Sequence, residues 1–160
     1  MMIRLILILG SVLALAGCQS GNNQPKVEPL IARFFLEAGP RETAATLQLP
    51  VSKVKINVNP KPVLVEYDFA DVGVAKVDLG WCLLFRLTPA ATRDFYRLTV
   101  GAQGRRLVLT LNGTPVGARR LDQVVGDGGL LLFIEVQDSD LPELANRIRL
   151  TSAGLAAHAR

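Results

Sequence analysis

The first 29 residues divide into an apolar run and a polar stretch. Residues 5–14 are apolar except for one glycine and one serine, and Arg4 precedes them. The run is shorter than the roughly 20 residues that a helix needs to cross a bilayer, and the basic residue before it is typical of a signal peptide. The polar sequence QSGNNQPKVEP (residues 19–29) predicts a flexible tether over residues 18–29.

Alternating apolar and polar positions predict a series of β-strands from residue 30 onward. In residues 53–59 the alternation places Val54, Ile56 and Val58 on one inward face. A short helical turn is predicted within residues 65–73, and further strands are predicted at residues 30–38, 44–51, 74–80 and 81–88.

A helix is predicted directly after these strands. Thr88 can cap it, and Pro89 suits the first helical position because an N–H is not needed there. Gly101 and Gly104 end the pattern. Ala91, Phe95 and Leu98 share one face at helical spacing, so this face is expected to pack against the core.

A β-hairpin follows the helix. The Asn112-Gly113 pair predicts a two-residue turn between strands at residues 105–111 and 114–120, because both turn positions need positive φ. Pro115 indicates that the returning strand is short or lies at a sheet edge.

The last part of the chain predicts one more strand and one more helix. Residues 130–136 (LLLFIEV) are apolar on both faces, which predicts a central strand. Residues 140–150 predict a helix, with Asp140 and Glu143 at capping-box spacing, and residues 151–160 are expected to be a frayed tail. The predicted fold class is α+β: a mostly antiparallel sheet with two main helices packed on one face, in one domain over residues 30–150.

Composition and charge exclude few classes of binding partner. The chain has 160 residues and a formal net charge of +4, and a leader whose only charge is Arg4 reduces this to +3 after cleavage. This mild charge gives no reason to expect a nucleic-acid partner. Cys82 lies in the strand-like sequence GWCLLFRLT and is predicted to be a buried, unreactive thiol.

The end of the apolar leader resembles a known processing site. Leu15-Ala16-Gly17-Cys18 is similar to the lipobox of bacterial lipoproteins, in which the peptide is cut before the cysteine and the cysteine is acylated. The resemblance implies a signal peptide over residues 1–17 and membrane attachment through lipidated Cys18. It also implies a periplasm-facing position in the bacterial envelope, where Gln19 favours the outer membrane over the inner.

A second resemblance covers roughly residues 54–150. Leu87-Thr88-Pro89, Gly104-Arg105-Arg106-Leu107 and Asn112-Gly113 occur in the order seen in the head of the first periplasmic domain of SecD, the protein-export subunit. The resemblance implies a SecD-head-like fold and a capacity to contact other chains. No later apolar run reaches 18 residues, so we expect none of the transport activity that SecD performs with transmembrane helices.

The sequence carries no complete catalytic or metal-binding motif. Ser52-Lys53-Val54-Lys55 matches Ser-x-x-Lys, but a strand would place Ser52 and Lys55 on opposite faces. His158 is the only histidine and lies near the end of the chain, away from the predicted core. We therefore expect no enzyme activity, no cofactor and no metal site.

Arginines provide the remaining candidate site. Two of them lie four residues apart on one helix face, and two further pairs end the hairpin strands far from the turn, where they can lie side by side. The candidate residues for binding an anion or a partner are Arg93, Arg97, Arg105, Arg106, Arg119 and Arg120.

Two functions remain open at this point. The first is a lipid-anchored interaction module that uses a SecD-like head to contact exported or envelope proteins. The alternative is an envelope scaffold that binds an anionic polymer or lipid through the arginine-rich face. Binding that is lost at high salt would favour the scaffold.

Overall fold

The computed structural model describes residues 28–158. The predicted signal peptide, the lipobox with Cys18 and most of the tether lie outside these residues. Two single-turn 3₁₀ helices occur, at Glu66–Asp68 and Asp138–Asp140. The other described elements are β1 (Ala32–Leu36), β2 (Ala45–Gln48), β3 (Lys55–Val58), β4 (Phe69–Val77), β5 (Gly80–Leu87), α1 (Pro89–Gly101), β6 (Arg106–Leu111), β7 (Thr114–Arg120), β8 (Gly129–Leu132) and α2 (Leu141–His158).

The strands form three small antiparallel sheets. Their orders are β1–β6–β7, β2–β3 and β4–β5–β8. α2 packs mainly along β4, and α1 contacts β5. The predicted α+β class with mostly antiparallel strands and two main helices is confirmed, although the strands are divided among three sheets.

The main core lies between the two three-stranded sheets and the helices. Phe34 on β1 is fully buried, and its ring contacts Phe85 and Phe69 at centroid distances of 4.9 and 5.9 Å in edge-to-face geometry. α1 contributes Phe95 to this cluster and α2 contributes Ile148. The first sheet is therefore joined to the second sheet and to both helices through one continuous apolar contact.

A smaller apolar cluster lies on the opposite face of the first sheet. Ile56 and Val58 of the β2–β3 hairpin pack with Val108 of β6, and all three are at most 1% exposed. The turn of this hairpin is held by Glu135, whose carboxylate accepts hydrogen bonds from the amides of Val51 and Ser52 at 2.7 and 3.0 Å. The hairpin thus forms a third layer.

The helix start and the second hairpin form as predicted. The Thr88 hydroxyl accepts a hydrogen bond from the amide of Ala91 at 3.3 Å and caps α1. Asn112 and Gly113 have φ values of 48° and 83° and make the tight turn between β6 and β7. β7 is the last strand of its sheet, and the pairing slips near Pro115, as expected for a residue without an N–H.

The prediction of a central strand at residues 130–136 is wrong. β8 ends at Leu132 and lies at a sheet edge, paired with β5 alone. The following residues run beside β7 instead, where the amide of Glu135 donates to the carbonyl of Val116 at 2.6 Å. Contact with another sheet, rather than a second strand partner, explains the apolar character of this segment.

The prediction of a frayed tail at residues 151–160 is also wrong for the described part. α2 continues to His158, and Ser152 is buried. The Thr151 hydroxyl accepts a hydrogen bond from the amide of Leu30 at 2.9 Å, so the beginning of the domain holds the end of this helix. That contact joins positions 121 residues apart, which a local sequence pattern cannot indicate.

Two local side-chain predictions also fail. Asp140 forms no capping box among the described residues; it belongs to the preceding 3₁₀ turn, where its carboxylate accepts a hydrogen bond from the Ser139 hydroxyl. Val54 is 41% exposed rather than inward, because Lys53 adopts a φ of 60° and turns the chain before β3 begins.

Replacing Gly117 with alanine tests the contact between β7 and the segment after β8. A Cβ atom at this position would overlap the carbonyl oxygen of Phe133 and lie 3.0 Å from the Cα of Ile134. We expect Gly117→Ala to lower the free energy of unfolding by about 1–3 kcal/mol, measured by urea denaturation of the full-length chain. The control is Gly73→Ala, where no atom lies within 4 Å of the added methyl group. Equal effects of the two substitutions would contradict the described packing.

Candidate functional site

The hairpin arginines are brought together as the sequence predicts. Arg106 lies directly opposite Arg120 in the β6–β7 register, and Leu107 lies opposite Arg119. Arg93 and Arg97 lie on α1, a different element from the hairpin that carries the other arginines. The six residues therefore form two groups.

Arg105 and Arg106 are engaged by the end of β1 and the loop after it. The Arg106 Nε donates to Oε2 of Glu37 at 2.9 Å, and its terminal nitrogen donates to Oε1 of the same carboxylate. Arg105 donates from Nε to the Glu37 carbonyl at 2.7 Å and forms an ion pair with Glu42 at 2.6 Å. Both guanidinium groups thus hold β1 and β6 together.

This pairing shifts the titration of the Glu37 carboxylate. The hydrogen bond from Arg106 lowers the pKa of Glu37 below its ordinary value, and partial burial opposes the shift. The same hydrogen bond raises the pKa of Arg106. The pair is charged at neutral pH and stabilises the folded state.

Arg119, Arg120 and Arg97 differ in how strongly hydrogen bonds and ion pairs hold their side chains. Arg119 donates to the carbonyl of Leu131 at 3.0 Å and so satisfies a backbone group of β8. Arg120 and Arg97 form ion pairs with Asp122 and Asp94 at 3.3 and 3.6 Å, and all four side chains are at least 68% exposed. Exposed pairs of this kind contribute little to stability, so these arginines can exchange their partners.

Cys82 is buried, as predicted from its strand-like sequence. Cys82 is fully buried, and burial raises the pKa of its thiol, with the Arg119 charge opposing the shift. Its Sγ lies 3.6 Å from the carbonyl oxygen of Ala75 on the adjacent strand. A protonated, covered thiol is a poor nucleophile.

Residues 28–158 contain neither a preformed metal site nor a membrane-spanning helix. Residues 28–158 contain no group of three or more His, Cys, Asp or Glu side chains placed to hold a metal ion. No helix in the same range is long and apolar enough to cross a membrane. His158 is exposed near the end of α2, where its ring nitrogen lies 2.7 Å from the carbonyl of Gly154.

An exposed apolar hairpin tip is the feature that sequence reasoning missed. The tip comprises residues 76–81, where β4 turns into β5. Leu79 is 85% exposed and Trp81 is 44% exposed, and the Lys76 ammonium lies 5.4 Å from the centre of the Trp81 ring. The sequence signal was present: Val-Asp-Leu-Gly-Trp places large apolar residues on both sides of a turn. Among the exposed large apolar side chains of residues 28–158, Leu79 has the greatest exposure, which makes this tip a candidate contact surface.

The Glu37–Arg106 pair predicts a specific dependence of stability on pH. Because the pKa of Glu37 is lowered on folding, its contribution is present above the ordinary carboxyl pKa of 4.5 and is lost as pH falls through the lowered value. We expect urea denaturation to show a smaller loss of stability between about pH 5 and pH 3 in Glu37→Gln than in the unsubstituted chain. Asp94→Asn serves as the control, because the exposed pair with Arg97 contributes little. A Glu37→Gln chain with the unchanged pH dependence would contradict the role of this pair.

Comparison with known proteins finds likeness in structure and none in sequence. No protein-family model matches the chain, and no curated protein matches it by sequence. A crystal structure of SecDF in a super-membrane-facing form matches 77% of this chain with a TM-score of 0.60 and 18% sequence identity. The matched region is 19% of that SecDF chain.

A second SecDF structure gives the same result. It belongs to a study of SecDF as a membrane component that enhances protein export, and the match covers 79% of this chain and 63% of the other. The TM-score is 0.56 and the sequence identity is 19%. Likeness at this identity concerns the fold alone. The domain therefore has a fold similar to that of SecDF periplasmic domains, as the sequence resemblance implied.

Proposed function

We propose that this protein is a lipid-anchored interaction module of the bacterial envelope that contacts exported or envelope proteins through its SecD-like head. The observation that carries the proposal is the exposed apolar hairpin tip with Leu79 and Trp81, on a fold similar to domains of a protein-export component. Tryptophan is among the residues that contribute most binding energy at protein interfaces, and Leu79 adds exposed apolar surface near Trp81.

The proposal assigns binding rather than catalysis to the domain. The thiol of Cys82 is covered, and the described histidine lies at the end of α2, away from the core. Within residues 28–158 neither the Cys82 thiol nor the His158 ring is paired as a nucleophile or base, which supports a binding role.

Membrane attachment is proposed at Cys18. The small residues before this cysteine, the apolar leader and the polar stretch after it support cleavage and acylation at this position. More than one acyl chain would give a stable anchor, since each buried methylene contributes about 0.8 kcal/mol. The domain would then face the periplasm, with the outer membrane favoured by Gln19.

Lipid attachment can be tested directly at this residue. We expect the protein to incorporate an alkyne-labelled palmitate in growing cells and to fractionate with membranes. Cys18→Ser should lose both the label and the membrane fraction, whereas Cys82→Ser should keep both because its thiol is buried. Label that persists in Cys18→Ser would refute an anchor at this position.

A scaffold that binds an anionic polymer or lipid is the second candidate. Arg97 and Arg120 support it, because both are largely exposed and are held only by weak surface ion pairs. Arg105 and Arg106 support it less, since both are engaged by glutamates. Binding through the exposed arginines would fall steeply with salt, while binding through the hairpin tip would not.

Site-specific crosslinking in cells tests the first function against the second. A photoreactive amino acid at Leu79 is expected to capture envelope or exported proteins, which mass spectrometry would identify. The same probe at Val100, an exposed residue of α1, is the matched control and should capture at least about tenfold less. Equal capture at the two positions, or capture only of polysaccharide or lipid, would rule out a protein partner at the tip.

A further inference from the structure

β4 is an edge strand with one open side. It is the longest strand of the domain and pairs only with β5. On the other side of β5, the amide of Leu87 donates to the carbonyl of Gly128 at 2.8 Å. Since successive residues of a strand bond to opposite sides, odd-numbered residues of β5 bond to β8 and even-numbered residues bond to β4.

This alternation fixes the backbone groups that face outward. The even-numbered residues of β5 pair with Gly73, Ala75 and Val77 of β4. Val74 and Lys76 therefore direct their N–H and C=O groups away from the sheet. Within residues 28–158 no hydrogen bond reaches these four groups. Val74 is half-buried and Lys76 is exposed, so this part of the edge is open to an added strand.

Of the usual protections of an edge strand, this half of β4 carries only a lysine, Lys76. Natural edges are commonly blocked by proline, by a lysine side chain or by a bulge. The sequence of β4 contains no proline, and its irregularity lies at the other end, between Phe69 and Asp71. The ammonium of Lys76 is turned over the Trp81 ring, so it does not cover the edge.

The surroundings of the edge indicate what it can bind. Gly73, Ala75 and Val77 are half-buried, small or apolar, and share one face of β4. A strand beside them could pack its own apolar side chains without meeting a bulky neighbour. Trp81 lies on the other face of the sheet, opposite Lys76, and Leu79 lies in the turn, so both adjoin the end of this edge. The edge supplies hydrogen bonds to any backbone, and the faces favour apolar side chains.

We propose that the open edge of β4, at Val74 and Lys76, binds an extended apolar segment of a partner polypeptide as an added β-strand. This proposal rests on the proposed function and gives the mode of contact: main-chain hydrogen bonds to a chain that has not folded, with little demand on its sequence. The hairpin tip then lies beside the end of the bound segment.

Two substitutions of Lys76 distinguish the contribution of its backbone N–H from that of its side-chain charge. Lys76→Pro removes the outward N–H and the ammonium, whereas Lys76→Ala removes the ammonium alone. The probe is a ten-residue peptide of alternating valine and threonine with a lysine at each end. Its control is the same peptide with alternate amides N-methylated. Binding to the full-length chain in detergent is followed by the fluorescence of Trp81, the only tryptophan of the chain.

We expect the unsubstituted chain and Lys76→Ala to bind the probe with similar affinity. Lys76→Pro should bind it at least tenfold more weakly, and the N-methylated peptide should bind the unsubstituted chain at least tenfold more weakly. Circular dichroism checks that each variant folds. If Lys76→Pro does not fold, the comparison of the two peptides decides the question.

Three results would contradict the proposal that a partner segment binds as an added strand. They are equal binding by the proline and alanine variants, equal binding of the two peptides, and self-association through β4 that the peptide does not displace. Crosslinks at Leu79 without peptide binding would support the proposed function and exclude the β4 edge as the binding site. Peptide binding without crosslinks would support the edge and count against the envelope partner.

Discussion

The burial of Phe34 between the two three-stranded sheets is the interaction on which the rest of the structure depends. Its ring meets Phe69 and Phe85 of the second sheet in edge-to-face contacts. Its backbone bonds on the other side to the chain around Leu64, where the amide of Phe34 donates to the Leu64 carbonyl at 2.9 Å. None of the three sheets has more than three strands, so each depends on the packing of its apolar face. Mutual burial of their apolar faces supplies the stability that strand pairing alone does not.

Because each sheet has so few strands, part of its edge remains available for contact with a partner. A small sheet has edges on both sides, and this domain covers one of them by running the chain after β8 against β7. In the distal half of β4, no hydrogen bond within residues 28–158 reaches the outward backbone groups of Val74 and Lys76. Other charged side chains make contacts within the fold: Arg106 donates a hydrogen bond to Glu37, and Glu135 accepts one from the amide of Ser52. These charged groups therefore act within the fold, while the hairpin tip presents Leu79 and Trp81 at the surface.

Local patterns predicted local structure well, and distant contacts account for what they missed. The Thr88 cap and the Asn112-Gly113 turn depend on neighbouring residues, so the sequence indicated both. The segment after Leu132 looked like a central strand because its residues are apolar, but its contacts come from another sheet. The turn brought the hairpin arginines close together, but the slip near Pro115 places Arg106 opposite Arg120 rather than Arg119. That Glu37 would engage Arg106 could not be predicted, because it requires the pairing of β1 with β6 across about 70 residues.

The two ends of the described domain meet. The amide of Leu30 donates to Thr151, and a terminal nitrogen of Arg147 donates to the carbonyl of Glu28 at 3.3 Å. A fold whose entry and exit lie side by side can be placed within a longer chain, or joined to a single tether, without rearrangement of its interior. Neighbouring entry and exit points thus let one folded unit be carried in chains of different layout.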